Sequence, residues 1–299
     1  MSFNELNSVE HFIIHQLTGL DLNAMKVSEP KATYGVQWVY KSADELQRSV
    51  NEVLVESDLK DALIRLNPEI TANPALADEV IYKLRAVLIA VNQVGLVKAN
   101  EEFFKWMTGE KTMPFGENNR HVPICLIDFE DLSNNIYIAT NQFRIHHRET
   151  KIPDVVLIIN GIPVVIGEAK TPIRPSVSWL DGADEIHRVY ENSVPQLFVP
   201  NILSFATEGK ELFFGGIRTP LEFWAPWRME NDDDVLAKRL GLSEIGKELS
   251  DLLSPVRLLD ILQNFSLFTS NKNKQRIKIL CRFQQYEGAN KIVERVKEG

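Results

Sequence analysis

The chain opens in helical period. In "SVEHFIIHQLTGL" the apolar Phe12, Ile13 and Leu17 recur at helical spacing behind Ser8 as N-cap. "SADELQRSVNEVLVESDLKDALIRL" begins with Ser42 and Glu45 at capping-box spacing and predicts a helix. "NPALADEVIYKLRAVLIAV" and "VKANEEFFKWMTG" continue the pattern, the latter stopping at Gly109. From residue 122 the period shortens towards two. "VPICLIDF", "NIYIATNQFRI", "PDVVLII" and "IPVVIGEAK" are rich in Val and Ile and punctuated by Asn, Gly and Pro, so they read as strands of one sheet. Their near-continuous apolar runs imply cover on both faces. A helix over "WLDGADEIHRVYENS" follows, then strands over "PNILSFAT" and "KELFFGGI". Past "FWAPW" the acidic "ENDDD" reads as a solvated turn or helix start. "SPVRLLDILQNFSLF" reads as a helix, "RIKILCRF" as a strand and "QYEGANKIVERV" as a last helix.

Asn160-Gly161 between two Val/Ile runs is a strong hairpin signal. Its register decides which charges meet. A plain two-residue turn pairs Asp154 with Gly167 and sends Glu168 to the other face. A three-residue loop over Ile159, Asn160 and Gly161, with Gly161 left-handed as a bulge, pairs Asp154 with Ile166 and makes Glu168 its diagonal neighbour on one face. The bulged form, or an equivalent one-residue offset, is the expectation.

Composition narrows the class. The 299 residues are 44% apolar and 25% charged, as in globular domains with a real core. Cys125 and Cys281 each sit in an apolar run, which predicts buried free thiols and a reducing, cytoplasmic setting. The first residues carry neither a basic region nor an apolar one, and no stretch approaches the ~18 apolar residues of a membrane span. No membrane partner is expected. A net charge of −8 gives no global attraction to nucleic acid, which argues against a tight non-specific DNA binder.

Asp154, Glu168 and Lys170 end the two strands of one hairpin. Two carboxylates suit a hard cation such as Mg²⁺, and a lysine beside them can orient water or neutralise charge developing on a phosphate. An ion pair of Glu168 with Lys170 or Lys151 explains the same residues equally well.

"PD", with "EAK" starting fourteen residues beyond the Asp, resembles the PD-(D/E)XK nuclease signature. The surrounding "LIRLNPEI", "LIDFEDLSNNIYIATNQFRI", "PDVVLIINGIPVVIGEAKTP" and "VPQLFVPNILSFATEGKELFFGG" resemble the restriction (motor) subunit of type I restriction-modification enzymes, over most of residues 60 to 216. "RFQQYEGANKIVERV" adds to the likeness. The resemblance implies an α/β fold, with a mixed central sheet flanked by helices and helical elaborations. It implies a nuclease domain over 1–228, a helical connector over 229–270, and over 271–299 the start of a superfamily 2 translocase domain. It makes Asp154 and Glu168 metal ligands for Mg²⁺ or Mn²⁺, the backbone carbonyl of Ala169 a third ligand, and Lys170 the catalytic lysine. Glu10 resembles an acid that such nucleases place beside the metal; a solvated helix-face Glu is the alternative. The family pattern of a Gln four residues before a Tyr is broken here: Tyr190 is present, but Ile186 stands four before it and Glu185 five. In the full subunit Arg282 and Gln285 would serve the nucleotide, ATP. The implied partners are double-stranded DNA and the methyltransferase and specificity subunits.

Arg144, Arg148, Lys151, Arg174 and Arg188 flank the site as candidate phosphate contacts, with Tyr190 beside them, and each cation reads equally well as a surface charge. His146-His147 and the pair His11, His15 lack a third zinc ligand at supporting spacing. Trp224, Trp227, Phe213, Phe214 and Phe223 read as core or interface rather than a base-stacking platform. No Gly-x-x-x-x-Gly-Lys-[Ser/Thr] occurs; Gly209-Lys210 and Gly246-Lys247 are each followed by Glu. No ATP hydrolysis is expected of this chain alone, which reads as an N-terminal piece of a larger subunit. The rival readings are a repair or recombination nuclease of the same fold and a catalytically silent scaffold that docks the modification enzyme.

Overall fold

The computed structural model describes residues 5–22, 26–27, 36–171, 176–227 and 244–298. The acidic run "ENDDD", the start of the expected connector and Arg174 lie outside them. The centre is a mixed seven-stranded sheet. In chain order its strands are β1 (Val39–Tyr40), β2 (Tyr137–Asn141), β3 (Val155–Ile159), β4 (Ile162–Ala169), β5 (Leu203–Thr207), β6 (Leu212–Gly215) and β7 (Ala225–Pro226). Their spatial order is β7-β6-β5-β4-β3-β2-β1. The β1/β2 and β4/β5 pairs are parallel and the others antiparallel. Every residue of β3 and β4 is buried, as the unbroken apolar runs require.

Helix α1 (Glu5–Thr18) packs along β2 and β4. It starts before Ser8, which lies inside it rather than at its cap. The Ser42–Glu45 capping box forms, but it caps only a single 3₁₀ turn, Ala43–Glu45, and the expected helix does not continue. Tertiary bonds claim the backbone there: His146 N–H donates to Val50 O at 2.7 Å and Val55 N–H to Gly161 O at 2.8 Å. The helix resumes as α2 (Glu56–Leu66), followed by α3 (Pro68–Ala72), α4 (Leu76–Val94) and α5 (Leu96–Met107). "VPICLIDF" gives only the two-residue strand Val122–Pro123; Ile124, Leu126 and Ile127 are buried in irregular chain. Helix α6 (Trp179–Asp184) crosses β4 and β5. It is capped by Ser178 and Asp181 and fixed by Trp179 stacked on Phe213 at 3.7 Å.

Beyond the sheet come α7 (Glu244–Leu252), α8 (Pro255–Asn264), a hairpin of β8 (Ser266–Ser270) with β9 (Arg276–Leu280), and α9 (Phe283–Glu298). "FSLF" was expected to continue a helix but starts β8 instead, and the hairpin straddles the expected boundary at residue 271. Trp227 is fully buried: its ring meets Phe214, Phe283 and Tyr286, and its Nε1 donates to Asp251 at 2.7 Å. Trp224 is buried too, while Phe223 is exposed. Both cysteines are free and half-buried. Among the described residues no helix is long and apolar enough to cross a membrane.

The β3–β4 turn is a two-residue one, with Asn160 at φ 49° and Gly161 at φ 78°, not the three-residue loop expected. The one-residue offset lies instead in β4, where Pro163 pairs with Ile158 and Val165 with Leu157, leaving Val164 as the extra residue. Pro163 has no N–H to give the ladder, a natural place for a bulge. The register then runs Val155 to Gly167, and continued one step it sets Asp154 opposite Glu168.

The turn is held from outside. Asn160 donates to Leu126 O and to Asn135, and accepts from Ile136 N–H, at 2.8 to 2.9 Å. A Cβ on Gly161 would stand 2.3 Å from Val55 O and 2.7 Å from Leu59 N. Gly161→Ala combines that clash with left-handed strain and is expected to lower unfolding stability by about 2 to 4 kcal/mol. Urea denaturation checks this, and an unchanged midpoint would show that the turn does not anchor α2.

Candidate active site

Five elements converge at the open end of the β3–β4 hairpin. Asp154 immediately precedes β3, Glu168 and Ala169 end β4, and Lys170 follows, its N–H held by Thr207 O at 2.8 Å. Asp154 Oδ2 accepts from Ala169 N–H at 2.8 Å, so the Ala169 amide fixes one oxygen of the acid. Glu168 is 3% exposed; its Oε1 accepts from Lys170 Nζ at 2.9 Å, and its Oε2 is buried with no hydrogen-bond donor. Lys170 Nζ also donates to Glu185 Oε2 at 2.7 Å.

From α1 comes Glu10, 2% exposed, which overturns the solvated-face alternative. Its carboxylate accepts from Gln142 Nε2 at 2.9 Å and Asn141 Nδ2 at 3.3 Å. Gln142 Nε2 also lies 3.5 Å from Asp154 Oδ1. Asp154 is within hydrogen-bonding reach of both Glu10 and Glu168. Sequence reasoning passed over Asn141 and Gln142. The only trace they leave is an Asn-Gln pair at a strand end, and Gln142 adopts φ 53°, which no spacing rule reveals.

The departure from the Gln-to-Tyr spacing has a structural answer. After α6 the chain makes a π-helical turn, Glu185–Tyr190, whose bonds span five residues instead of four. Glu185 and Tyr190, five apart, therefore stand about one turn apart on one side of the helix, and Tyr190 hydrogen-bonds Glu185. Glu185 reaches Lys170 from there.

Crowding of acids sets the electrostatics. Burial, then the charge of Asp154, raises Glu10 from 4.5 to about 7 against the pull of Gln142 and Asn141. Burial raises Asp154, opposed by the Ala169 N–H and by Lys170. Glu168 is pushed well above its ordinary value by burial and by Asp154. Burial works against the charge on Lys170, but Glu168 and Glu185 outweigh it and hold the lysine above its usual value. Tyr190 is raised by burial and then by Glu168.

Glu168 and Glu185 thus hold one ammonium, and Asp154 and Glu10 lie in the same acid cluster. An all-oxygen donor set with surplus negative charge and a donorless buried oxygen on Glu168 fits a hard divalent cation. Among the described residues no trio of His, Cys, Asp and Glu is already arranged around an ion position.

The other expected residues are dispersed. Lys151 pairs with Glu149 at 2.7 Å and Arg188 with Asp184 at 2.8 Å. Arg144 and Arg148 are exposed. Arg282 and Gln285, at the start of α9, help line a separate cavity of about 470 Å³ that includes none of the acids.

The structure thus sets paired acids and a lysine at the end of the central hairpin of a mixed sheet. Residues 2–223 match the family described as type I restriction enzyme R protein N terminus (HSDR_N), and the chain belongs to that family. It is 26% identical over 270 residues to the type I restriction enzyme HindI endonuclease subunit of Haemophilus influenzae, covering 86% of this chain and 25% of that protein. It is 30% identical over 173 residues to the putative MjaVIIIP endonuclease subunit of Methanocaldococcus jannaschii, covering 57% of this chain and 16% of that one. The chain spans about a quarter of the length of the Haemophilus relative.

Raised carboxyl pKa values make the metal-free site unstable at high pH. These groups keep their protons in the folded chain where the unfolded chain has released them, so their contribution is present below the unfolded value, 4.5 for Glu10, and is lost as pH rises through about 7. Thermal unfolding in EDTA should show stability falling between pH 5 and 8, with a shallower fall in Asp154→Asn. Glu191, raised to about 8 by burial, contributes equally to both proteins and cancels in the comparison. Parallel profiles would mean the acids do not sense one another.

Proposed function

We propose that this chain is the DNA-cleaving part of a type I restriction endonuclease subunit and that it hydrolyses the phosphodiester backbone of double-stranded DNA with a divalent cation, Mg²⁺ or Mn²⁺. The observation that carries the reading is the ammonium of Lys170 set between Glu168 and Glu185, beside Asp154 and a buried, donorless oxygen of Glu168. Asp154 and Glu168 would hold the cation, with Ala169 the third ligand through its carbonyl. The cation supplies Lewis acidity and a more acidic bound water.

The protein's own groups do the rest. The Ala169 N–H fixes one oxygen of Asp154, and Gln142 and Asn141 aim Glu10 at the same acid. Lys170, with its side chain 18% exposed, neutralises charge that develops on the phosphate as water's oxygen joins phosphorus and a P–O bond to the sugar breaks. Glu185, tied to Tyr190, limits where Lys170 can go. In the full-length subunit, cleavage would follow ATP-driven translocation, with the methyltransferase and specificity subunits as partners. Arg282 and Gln285 would serve the nucleotide there.

The competing reading makes Lys170 a structural ion pair in a silent scaffold. Cleavage of plasmid DNA in Mg²⁺, measured with thermal unfolding of Lys170→Ala beside the parent, separates them. A partly exposed pair contributes ~0 to 1 kcal/mol, whereas loss of a transition-state contact costs on the order of 10² to 10³ in rate. Lys170→Arg should rescue poorly, because a planar fork does not place a compact charge where the ammonium sits. Undiminished cleavage by a folded Lys170→Ala chain would refute the catalytic role.

A further inference from the structure

The acids repel DNA, so the backbone must be drawn in by cations nearby, and those cations differ in what already holds them. Lys151 and Arg188 are each neutralised by an acid. Arg144 is exposed, and its guanidinium makes no hydrogen bond or ion pair among the described residues. Arg48 is fixed beside it, donating to Glu52 O at 2.9 Å and to Arg144 O at 3.0 and 3.1 Å, with its guanidinium 3.8 Å from the centroid of the Phe143 ring. Every hydrogen bond it makes ends on a carbonyl, and the Glu52 carboxylate acts on its charge only from beyond hydrogen-bonding distance. Burial lowers Arg48 to about 10, which leaves it protonated at neutral pH.

Both arginines line a groove of about 490 Å³, together with Ser42, Asp44, Asn141 and Gln142. Asp44 is the one acid in its wall. Asn141 and Gln142 are the residues that grip Glu10 and reach Asp154. The groove therefore runs up to the acids and shares two side chains with their support.

We propose that this groove seats the DNA backbone phosphate next to the one that is cut, with Arg144 as its charged contact and Arg48 as a positioning residue that holds the carbonyl of Arg144. This rests on the reading of the chain as a DNA nuclease. An open groove with an unpaired guanidinium, continuous with the acids, suits a strand that passes through both places. It also reconciles an acidic chain with a DNA substrate, because attraction is supplied locally rather than by net charge.

The test is fluorescence anisotropy of a short labelled duplex of arbitrary sequence with the full 299-residue chain, with Ca²⁺ replacing Mg²⁺, titrated across NaCl concentrations. Each phosphate neutralised adds about 0.9 to the slope of log K against log salt. Arg144→Ala should lower that slope by about 1, Arg144→Lys should restore it, and Arg148→Ala, at an exposed neighbour outside the groove, should leave it unchanged. With Mg²⁺, Arg144→Ala should raise KM for cleavage and leave kcat nearly intact. A slope unchanged in Arg144→Ala, an equal loss in Arg148→Ala, or a parent that binds no duplex at low salt overturns the groove assignment. A parent that binds through Arg144 but does not cut would remove the nuclease reading and leave the groove standing.

Discussion

Registration of β3 against β4 is the constraint on which the candidate site depends. A strand alternates its faces residue by residue, so without the extra residue at Val164 the two acids would point to opposite sides of the sheet. The offset is protected from both ends. At the turn, Asn160 is bonded to the 126–136 segment and Gly161 leaves no room for a side chain against α2. At the far end, a Cβ on Gly167 would stand 2.2 Å from the ring of Phe205, so β5 presses on β4 immediately before Glu168. Slipping the hairpin would break these fits together.

That rigidity allows the fold to tolerate an arrangement that works against it. Glu10, Asp154 and Glu168 share one partly dry space, and like charges at close range stay ionised only at a cost. The core of β3 and β4 supplies the stability that the site does not. Lys170 compensates in part, and its two acid partners leave the cluster short of positive charge. On the proposed reading a divalent cation would act on that shortage among the acids, and the groove's arginines on the DNA.

The meeting of the charged residues was more legible in the sequence than the path of the chain. Asp154, Glu168 and Lys170 stood out as charges at the ends of apolar strands, and the turn announced itself through Asn160-Gly161. The position of the bulge did not, because Pro163 is compatible with several registers. Ser42 and Glu45 form a true capping box, yet tertiary bonds to Val50 and Val55 divert the chain from the helix those residues begin. "VPICLIDF" has strand composition, but only Val122–Pro123 finds a partner strand. Local preference was correct in both cases, and long-range pairing overrode it. Asn141 stands 131 residues from Glu10, to which it donates, and Gln142 stands 12 from Asp154, separations that no local pattern spans.

The π-helical turn at Glu185–Tyr190 separates what a helix counts from what a site requires. Lys170 responds to the direction from which a side chain approaches, not to the number of peptide bonds before the next aromatic residue. A chain one residue shorter here would relax to an ordinary α-helical turn and still present an acid and a tyrosine from the same side. Insertion and deletion at this spot are therefore nearly interchangeable in three dimensions, although in a linear comparison each looks like the loss of a motif.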